Sequence, residues 1–333
     1  MTRLVFEKYS SFGNHFVLVE ETTSVPWVQA QREELARRAA NVAFGVGADS
    51  VIFLKALTEA GRWLARFFEP SGKEFLTCGN GLACVARHLY DYHGQGHAEV
   101  LVEWPTQRPR ACAVTWQATT QIASVRLAPD LSCIRSFVHP SFAACAQEGI
   151  LLFSAKHLTS QANTLVASGA LVYTGEPHMV VIQLPNGVVP PIWPTSVPWV
   201  MDLRDLFDED IAAIERAGLH LNRGLRESFP QGINLILARP VGRDTFEYRC
   251  FERGLESQTL ACGTGALALG MVARELGLAG PGPLRVLPAA ARALAHFASA
   301  ELGAHFHDDG SMTLATRAEH VFSGVFSAAL TEF

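Results

Sequence analysis

The residues most able to do chemistry in this chain are two cysteines in matching settings. Cys262 is followed at once by Gly263, Thr264 and Gly265, then by alanines and apolar residues at helical spacing. Cys78 opens the same pattern as Cys78-Gly79-Asn80-Gly81, ahead of the run LACVARHLYDY. Each spacing predicts a thiol at the first turn of a helix, where unpaired N–H groups and the positive end of the dipole favour an anion. Such a position is expected to lower a cysteine pKa and to bind a carboxylate. Two thiols in one setting imply a chain of two similar halves that face one another. Cys84, Cys112, Cys133, Cys145 and Cys250 lack that setting and read as packing residues.

The elements that must carry these thiols can be read from the pattern of apolar residues. In the first half, Leu4–Tyr9 and Phe16–Val19 read as strands around the Ser11-Phe12-Gly13-Asn14 turn, and Val28–Asn41 as an amphipathic helix. The glycine loop Phe44-Gly45-Val46-Gly47-Ala48-Asp49 leads into the strand Val51–Leu54. It is a poor dinucleotide fingerprint, because Ser50 stands at the third glycine position and no helix follows. Trp63–Phe68 is a further strand, Glu69–Thr77 a loop, Cys78–His93 a helix, and Val100–Glu103 with Ala111–Thr115 a hairpin.

A composition shift near Ala118 marks a boundary. Beyond it, Ile122–Leu127, Ile150–Phe153, Thr164–Ser168 and Met179–Leu184 are strand candidates rich in Val and Ile. The proline-rich segment 185–198 is a semi-rigid connection, and Asp202–Ala217 a helix. Ile233–Ala238 and Thr245–Phe251 pair and lead into the Cys262 loop. Ala300–Phe306 and Met312–Ala315 form a hairpin through Asp309-Gly310.

Composition narrows the function. A chain of 333 residues exceeds one hydrophobic core, and 49% hydrophobic with 18% charged residues is the balance of a globular protein. A net charge of −5 gives no basic footprint for nucleic acid. Seven widely spaced cysteines without a CxxC pair argue for a reducing compartment rather than a disulfide framework. Arg3, Glu7 and Lys8 are not the start of a signal peptide, and the prolines between His178 and Met201 exclude a membrane helix there. The expected location is the cytoplasm.

Seven motifs in order now carry a resemblance: FGNHFV, FGVGAD, CGNG, GEPH, FPQGIN, ERG and ACGTG, closed by AEHVFSG. The chain resembles the diaminopimelate epimerase family of cofactor-independent amino-acid racemases over essentially its whole length. The resemblance implies a mixed α/β (α+β) fold of two pseudo-symmetric domains, each a sheet around a central helix. The substrate would lie in the cleft between them, and the last strand would return to the N-terminal domain. The expected domains are 1–118 plus 320–333, carrying Cys78, and 119–319, carrying Cys262.

Inverting an amino acid means removing a very weakly acidic α-proton and returning one to the opposite face. A thiolate on one side and a thiol on the other suit that task, so Cys78 and Cys262 are the expected base and acid, exchanging roles with direction. The α-carboxylate is expected at the N–H groups of Gly79, Asn80, Gly263 and Thr264. The resemblance adds Asn14, Ser50, Asn234, Glu252 and Arg253 as substrate contacts and His178 as a histidine near the thiols. No cofactor or metal is implied, and the partner is a small amino acid; a homodimer is compatible with this. His305-Phe306-His307-Asp308 raises a metal reading, but no third ligand stands nearby, so an exposed strand end is the better account.

The departures concern the substrate. Where the diaminopimelate enzymes read F-N-A-D-G-S and G-N-P-H, this chain reads Phe68-Glu69-Pro70-Ser71-Gly72-Lys73 and Gly175-Glu176-Pro177-His178. Two donating amides are replaced by carboxylates, Glu69 and Glu176, which accept only. A distal carboxylate would be repelled and a cation welcomed, so the leading expectation is a free basic amino acid: histidine, lysine or arginine. Diaminopimelate itself is the alternative, and a non-catalytic amino-acid-binding protein a third. One extra residue between Glu252 and Cys262, relative to the usual family spacing, bears on the loop around the second thiol.

Overall fold

A computed structural model describes residues 4–21, 27–58, 61–75, 77–102, 109–127, 144–147, 150–159, 164–174, 176–184, 211–227 and 229–326, with side chains of 144–169 and 173 not described. Gly175, the segment 185–198, the start of the helix expected from Asp202, Glu103 and the side chains of Cys133 and Cys145 lie outside these. Two compact units result, Met1–Leu127 with Ala315–Phe333, and Ala128–Leu314. Residues 119–127 fall in the first because β7 (Arg110–Gln117) and β8 (Ile122–Leu127) pair as one hairpin.

In the first unit, β1 (Val5–Ser11) and β2 (Asn14–Glu21) form a hairpin whose turn residues Phe12 and Gly13 take φ of 45° and 87°. Left-handed backbone at both positions is what a two-residue hairpin loop needs. Helix α1 (Gln29–Ala40) follows and buries Leu35, Ala36 and Ala39 against Val17, Val19, Val51 and Phe53. It returns the chain to β3 (Ser50–Ala56), which runs parallel to β2 and antiparallel to β4 (Arg62–Phe68). After the short β5 (Glu74–Phe75), helix α2 (Gly79–His93) crosses to β6 (His97–Val102), parallel to β4 and antiparallel to β7. Residues 79–86, 88 and 89 of α2 are buried, as befits a helix enclosed by sheet. The closing strand, β19 (Glu319–Val325), pairs antiparallel with β1.

The second unit repeats this order. Strands β9 (Ala144–Gln147), β10 (Ile150–Thr159) and β11 (Thr164–Tyr173) run antiparallel in sequence, and β11 pairs antiparallel with β12 (Pro177–Ile182). Helix α3 (Ile211–Gly224) precedes β13 (Asn234–Gly242), which is parallel to β12 and antiparallel to β14 (Thr245–Glu252). A short β15 (Ser257–Thr259) precedes helix α4 (Gly263–Glu275), which leads to β16 (Leu284–Pro288), parallel to β14. After α5 (Ala289–Arg292), β17 (Leu302–Phe306) pairs with β16, and β18 (Met312–Arg317) follows the Asp309-Gly310 turn. The sequence of parallel and antiparallel pairings around α4 thus matches that around α2.

Candidate active site

Both cysteines sit at the helix starts their spacing predicts. Cys78 is the N-cap residue of α2 and Cys262 that of α4, each with extended backbone. The glycine two residues inside each helix allows close packing. A Cβ on Gly81 would meet the Phe67 ring at 2.7 Å, and one on Gly265 would meet Ile236 Cδ1 at 2.5 Å. Each cysteine is therefore held where its helix presses on the sheet.

The surroundings of the two thiols differ. Cys78 is half-buried. Beside it in α2, buried Asn80 donates from Nδ2 to Asn14 Oδ1 at 2.7 Å, tying the helix start to the first residue of β2. Cys262 is 3% exposed, and its Sγ accepts the Gly265 N–H at 3.3 Å and lies 3.6 Å from Thr264 Oγ1. Its Sγ is also 3.8 Å from Nε2 of His178, which is completely buried.

The tautomer of His178 follows from its neighbours. Nδ1 faces the Glu176 carbonyl at 2.7 Å, and a carbonyl only accepts, so Nδ1 carries the proton. Nε2 is then an acceptor. It receives Asn234 Nδ2 at 3.2 Å, and Thr264 Oγ1 approaches it at 3.4 Å. Asn234 Oδ1 accepts the Arg253 N–H at 2.9 Å, which fixes the orientation of the amide. The pairing of β12 with β13 sets His178 directly opposite Asn234. Burial holds the imidazole neutral, with a pKa lowered to about 4.

Electrostatics correct one expectation. The helix start was expected to lower the Cys262 pKa; instead burial pushes it well above the ordinary value, Glu252 and Cys250 add to the rise, and the bonds from Thr264 and Gly265 only oppose it. Desolvation of a nearly fully enclosed thiolate outweighs the half-charge of a helix end. Cys262 is therefore a neutral thiol with its S–H in reach of an imidazole lone pair. Burial likewise raises Cys84 and Cys250, and Cys112 to about 12, in keeping with packing roles.

Glu176 also departs from expectation. It does not stand open to a cation, because Arg253 donates from Nε at 2.9 Å and from Nη2 to its Oε2. Both side chains are more than nine-tenths buried. Glu69 lies in the β4–β5 turn, half-buried, where Ser71 Oγ donates to its Oε2 at 3.3 Å. Glu252 accepts Thr259 Oγ1 at 2.5 Å. Ser50 is buried at the start of β3, opposite Phe16. Cys262, Thr264, His178, Asn234, Arg253 and Glu176 thus form one contact chain, with Glu252 acting on Cys262 electrostatically, and Asn14 with Asn80 form another.

Two further residues belong to this architecture. Tyr248 OH, fully buried, accepts the Cys262 N–H at 2.8 Å and donates to the Cys262 carbonyl at 3.1 Å. Thr174 Oγ1 donates to the Thr264 carbonyl at 2.9 Å and is 3.3 Å from His178 Nδ1. In sequence both look like ordinary strand positions. Of the histidine pair in β17 and its turn, His305 is exposed, the rings lie 4.5 Å apart, and His307 Nε2 meets Thr313 Oγ1 at 2.7 Å, as in a polar strand end.

Comparison with known proteins decides the family. The diaminopimelate epimerase family model matches residues 6–110. A diaminopimelate epimerase of Methanothrix thermoacetophila is 27% identical over 303 residues, spanning 86% of this chain and 89% of that one. One from a Cyanothece species is 30% identical over 268 residues, 80% and 82% of the two chains. The chain belongs to the diaminopimelate epimerase family. It is an isomerase, an amino-acid epimerase or racemase. Its fold is also that of a hydroxyproline epimerase from Agrobacterium vitis, with a TM-score of 0.58 at 14% identity over 97% of this chain and 92% of that one. Among the described residues, no helix of this family member is long and apolar enough to cross a membrane.

Proposed function

We propose that this epimerase-family enzyme inverts the α-carbon of a free basic amino acid, with Cys78 and Cys262 as the acid–base pair serving opposite faces of Cα. Three features support the chemistry. The thiols cap matching helices. Cys262 rests as a protonated thiol whose sulfur is held beside a neutral imidazole. The amides of Gly79, Asn80, Gly263 and Thr264 lie in the first turns, where a carboxylate gains most from the helix ends. His178 positions Cys262, and Asn234 positions His178.

The observation that carries the substrate reading is the buried Arg253–Glu176 pair. A guanidinium is the natural anchor for a second carboxylate on a substrate side chain. Here its charge is met within the protein by Glu176, so a distal carboxylate would have to displace a buried partner. The names of the relatives favour a second reading, epimerisation of diaminopimelate. Deuterium incorporation at Cα, measured with histidine, lysine, arginine and diaminopimelate side by side, separates the two. Fastest exchange with a basic amino acid is expected; fastest exchange with diaminopimelate would establish the second reading.

A further inference from the structure

A second cluster of chemistry-bearing side chains lies in the first unit, toward the far end of α2 from Cys78. Glu20, next to last in β2, meets two histidines of α2: His88 Nε2 is 3.3 Å and His93 Nε2 3.0 Å from the same Glu20 Oε2. The three ligand atoms all lie within 4.8 Å of one another. His88 is buried, with a side chain 3% exposed, whereas Glu20 is 38% and His93 29% exposed, so the cluster opens to solvent on one side.

We propose that Glu20, His88 and His93 form a binding site for a divalent transition-metal ion of the zinc class, separate from the thiol chemistry. Zinc bonds nitrogen and carboxylate oxygen at about 2.0–2.2 Å, so tetrahedral ligands stand roughly 3.3 Å apart. Both His–Glu separations are already close to that value, and only the exposed His93 need turn to bring its nitrogen toward that of His88. Two imidazoles and one carboxylate are the ligand types this class of ion takes, with a fourth position left to water.

The outer contacts fit the assignment. The other nitrogen of His88, Nδ1, is 3.1 Å from the hydroxyl of Tyr9, a fully buried phenol. A phenol oxygen can accept an Nδ1 proton, so Tyr9 suits the tautomer in which Nε2 is free to bond an ion beside Glu20. A partner that fixes the tautomer and ring orientation is the usual companion of a metal-bound histidine. Ring contacts hold the rest: Tyr92 stacks on His88 at 4.7 Å, and Trp63 packs on His93 at 4.6 Å. His88 lies ten residues along α2 from Cys78, about 15 Å by helical rise, which keeps the ion clear of the thiol.

Equilibrium dialysis of the intact enzyme against Zn2+, with parallel Co2+ absorption, tests the site. The expected result is a saturable ion whose affinity falls at least about tenfold in His93→Ala and in Glu20→Gln. Its Co2+ form should show visible bands without thiolate-to-metal charge transfer, and the racemase activity and circular dichroism of both variants should match wild type. Because His93 and Glu20 are solvent-accessible, either variant alone keeps the test valid if the other fails to fold. Equal affinity in wild type and variants, a thiolate charge-transfer spectrum, or no saturable binding below millimolar Zn2+ would each overturn the assignment.

Discussion

Replacing His178 by glutamine should flatten the acid limb of the enzyme's stability. The imidazole is completely buried, and burial lowers its pKa to about 4, against an ordinary value of 6.5 in the unfolded chain. Between those values the unfolded state binds the proton and the folded state does not, so folding stability rises with pH across the window. The contribution is fully present above about pH 6.5 and is lost progressively as pH falls toward about 4. The gap between the two values corresponds to about 3 kcal/mol in total, most of which is lost by about pH 4.5. Glutamine has no proton to gain in this range, and its amide lies near the place of Nε2, facing Asn234. Urea unfolding followed by circular dichroism at pH values from about 7.5 to 4.5 gives the wild-type-minus-variant difference, in which other titrating groups cancel. That difference should shift by roughly 2–3 kcal/mol in the variant's favour on acidification. Parallel curves would refute the neutral, Nδ1-protonated imidazole on which the Cys262 site is built.

Cys78→Ala or Cys262→Ala should reduce racemisation by at least roughly 10²–10⁴-fold, since one face of Cα then lacks its proton donor or acceptor; near-native turnover in either would remove the two-base reading. Tyr248→Phe leaves the Cys262 N–H without its hydroxyl acceptor inside the protein, so unfolding measurements should show a loss of about 1–3 kcal/mol together with a lower kcat. Gly81→Ala forces a methyl against the Phe67 ring, and should cost about 1–3 kcal/mol and slow deuterium exchange while leaving the second unit's thermal transition in place. Glu176→Asn releases Arg253 from its buried partner, and diaminopimelate exchange should rise relative to lysine exchange; an unchanged ratio would count against the role given to the pair.

How much of this was legible in sequence depends on whether a feature is local. The two helix starts were readable because Cys-Gly-x-Gly followed by an apolar run is self-contained punctuation, and α2 ends at His93 as the following Gly94 suggests. Strands β15 and β16 went unread because one is three polar or small residues and the other ends on a proline. Helix α3 runs on to Gly224, past the expected end at Ala217, because tertiary contacts override weak formers. Gly218 lies under the Phe251 ring, and Asn222 exchanges hydrogen bonds with Ile233. The His178–Asn234 contact depends on the register of two parallel strands separated by a helix, which no local pattern encodes. The Glu20–His88–His93 cluster was missed for a related reason: the histidines are five apart rather than four, and their carboxylate comes from a strand.

The departure at Cys262 also bears on how such a thiol can act on so weak an acid as an α-proton. A helix end alone would make the thiolate plentiful but poorly basic. Burial does the opposite: the thiolate becomes rare, but each one formed is a stronger base and better matched to the proton it must take. The neutral imidazole 3.8 Å away, whose Nε2 also accepts from Asn234, then fixes the position of the thiol without taking its proton. The half-buried Cys78, beside an Asn80–Asn14 pair, has a wetter setting. The two centres share a backbone plan and differ in solvation, and under the proposed two-thiol chemistry that difference makes Cys262 the proton donor of the resting enzyme. Cys262 should accordingly be alkylated far more slowly than Cys78 by iodoacetamide at neutral pH, and equal labelling rates at the two sites, read by mass spectrometry of the digested protein, would show that the two thiols are equivalent.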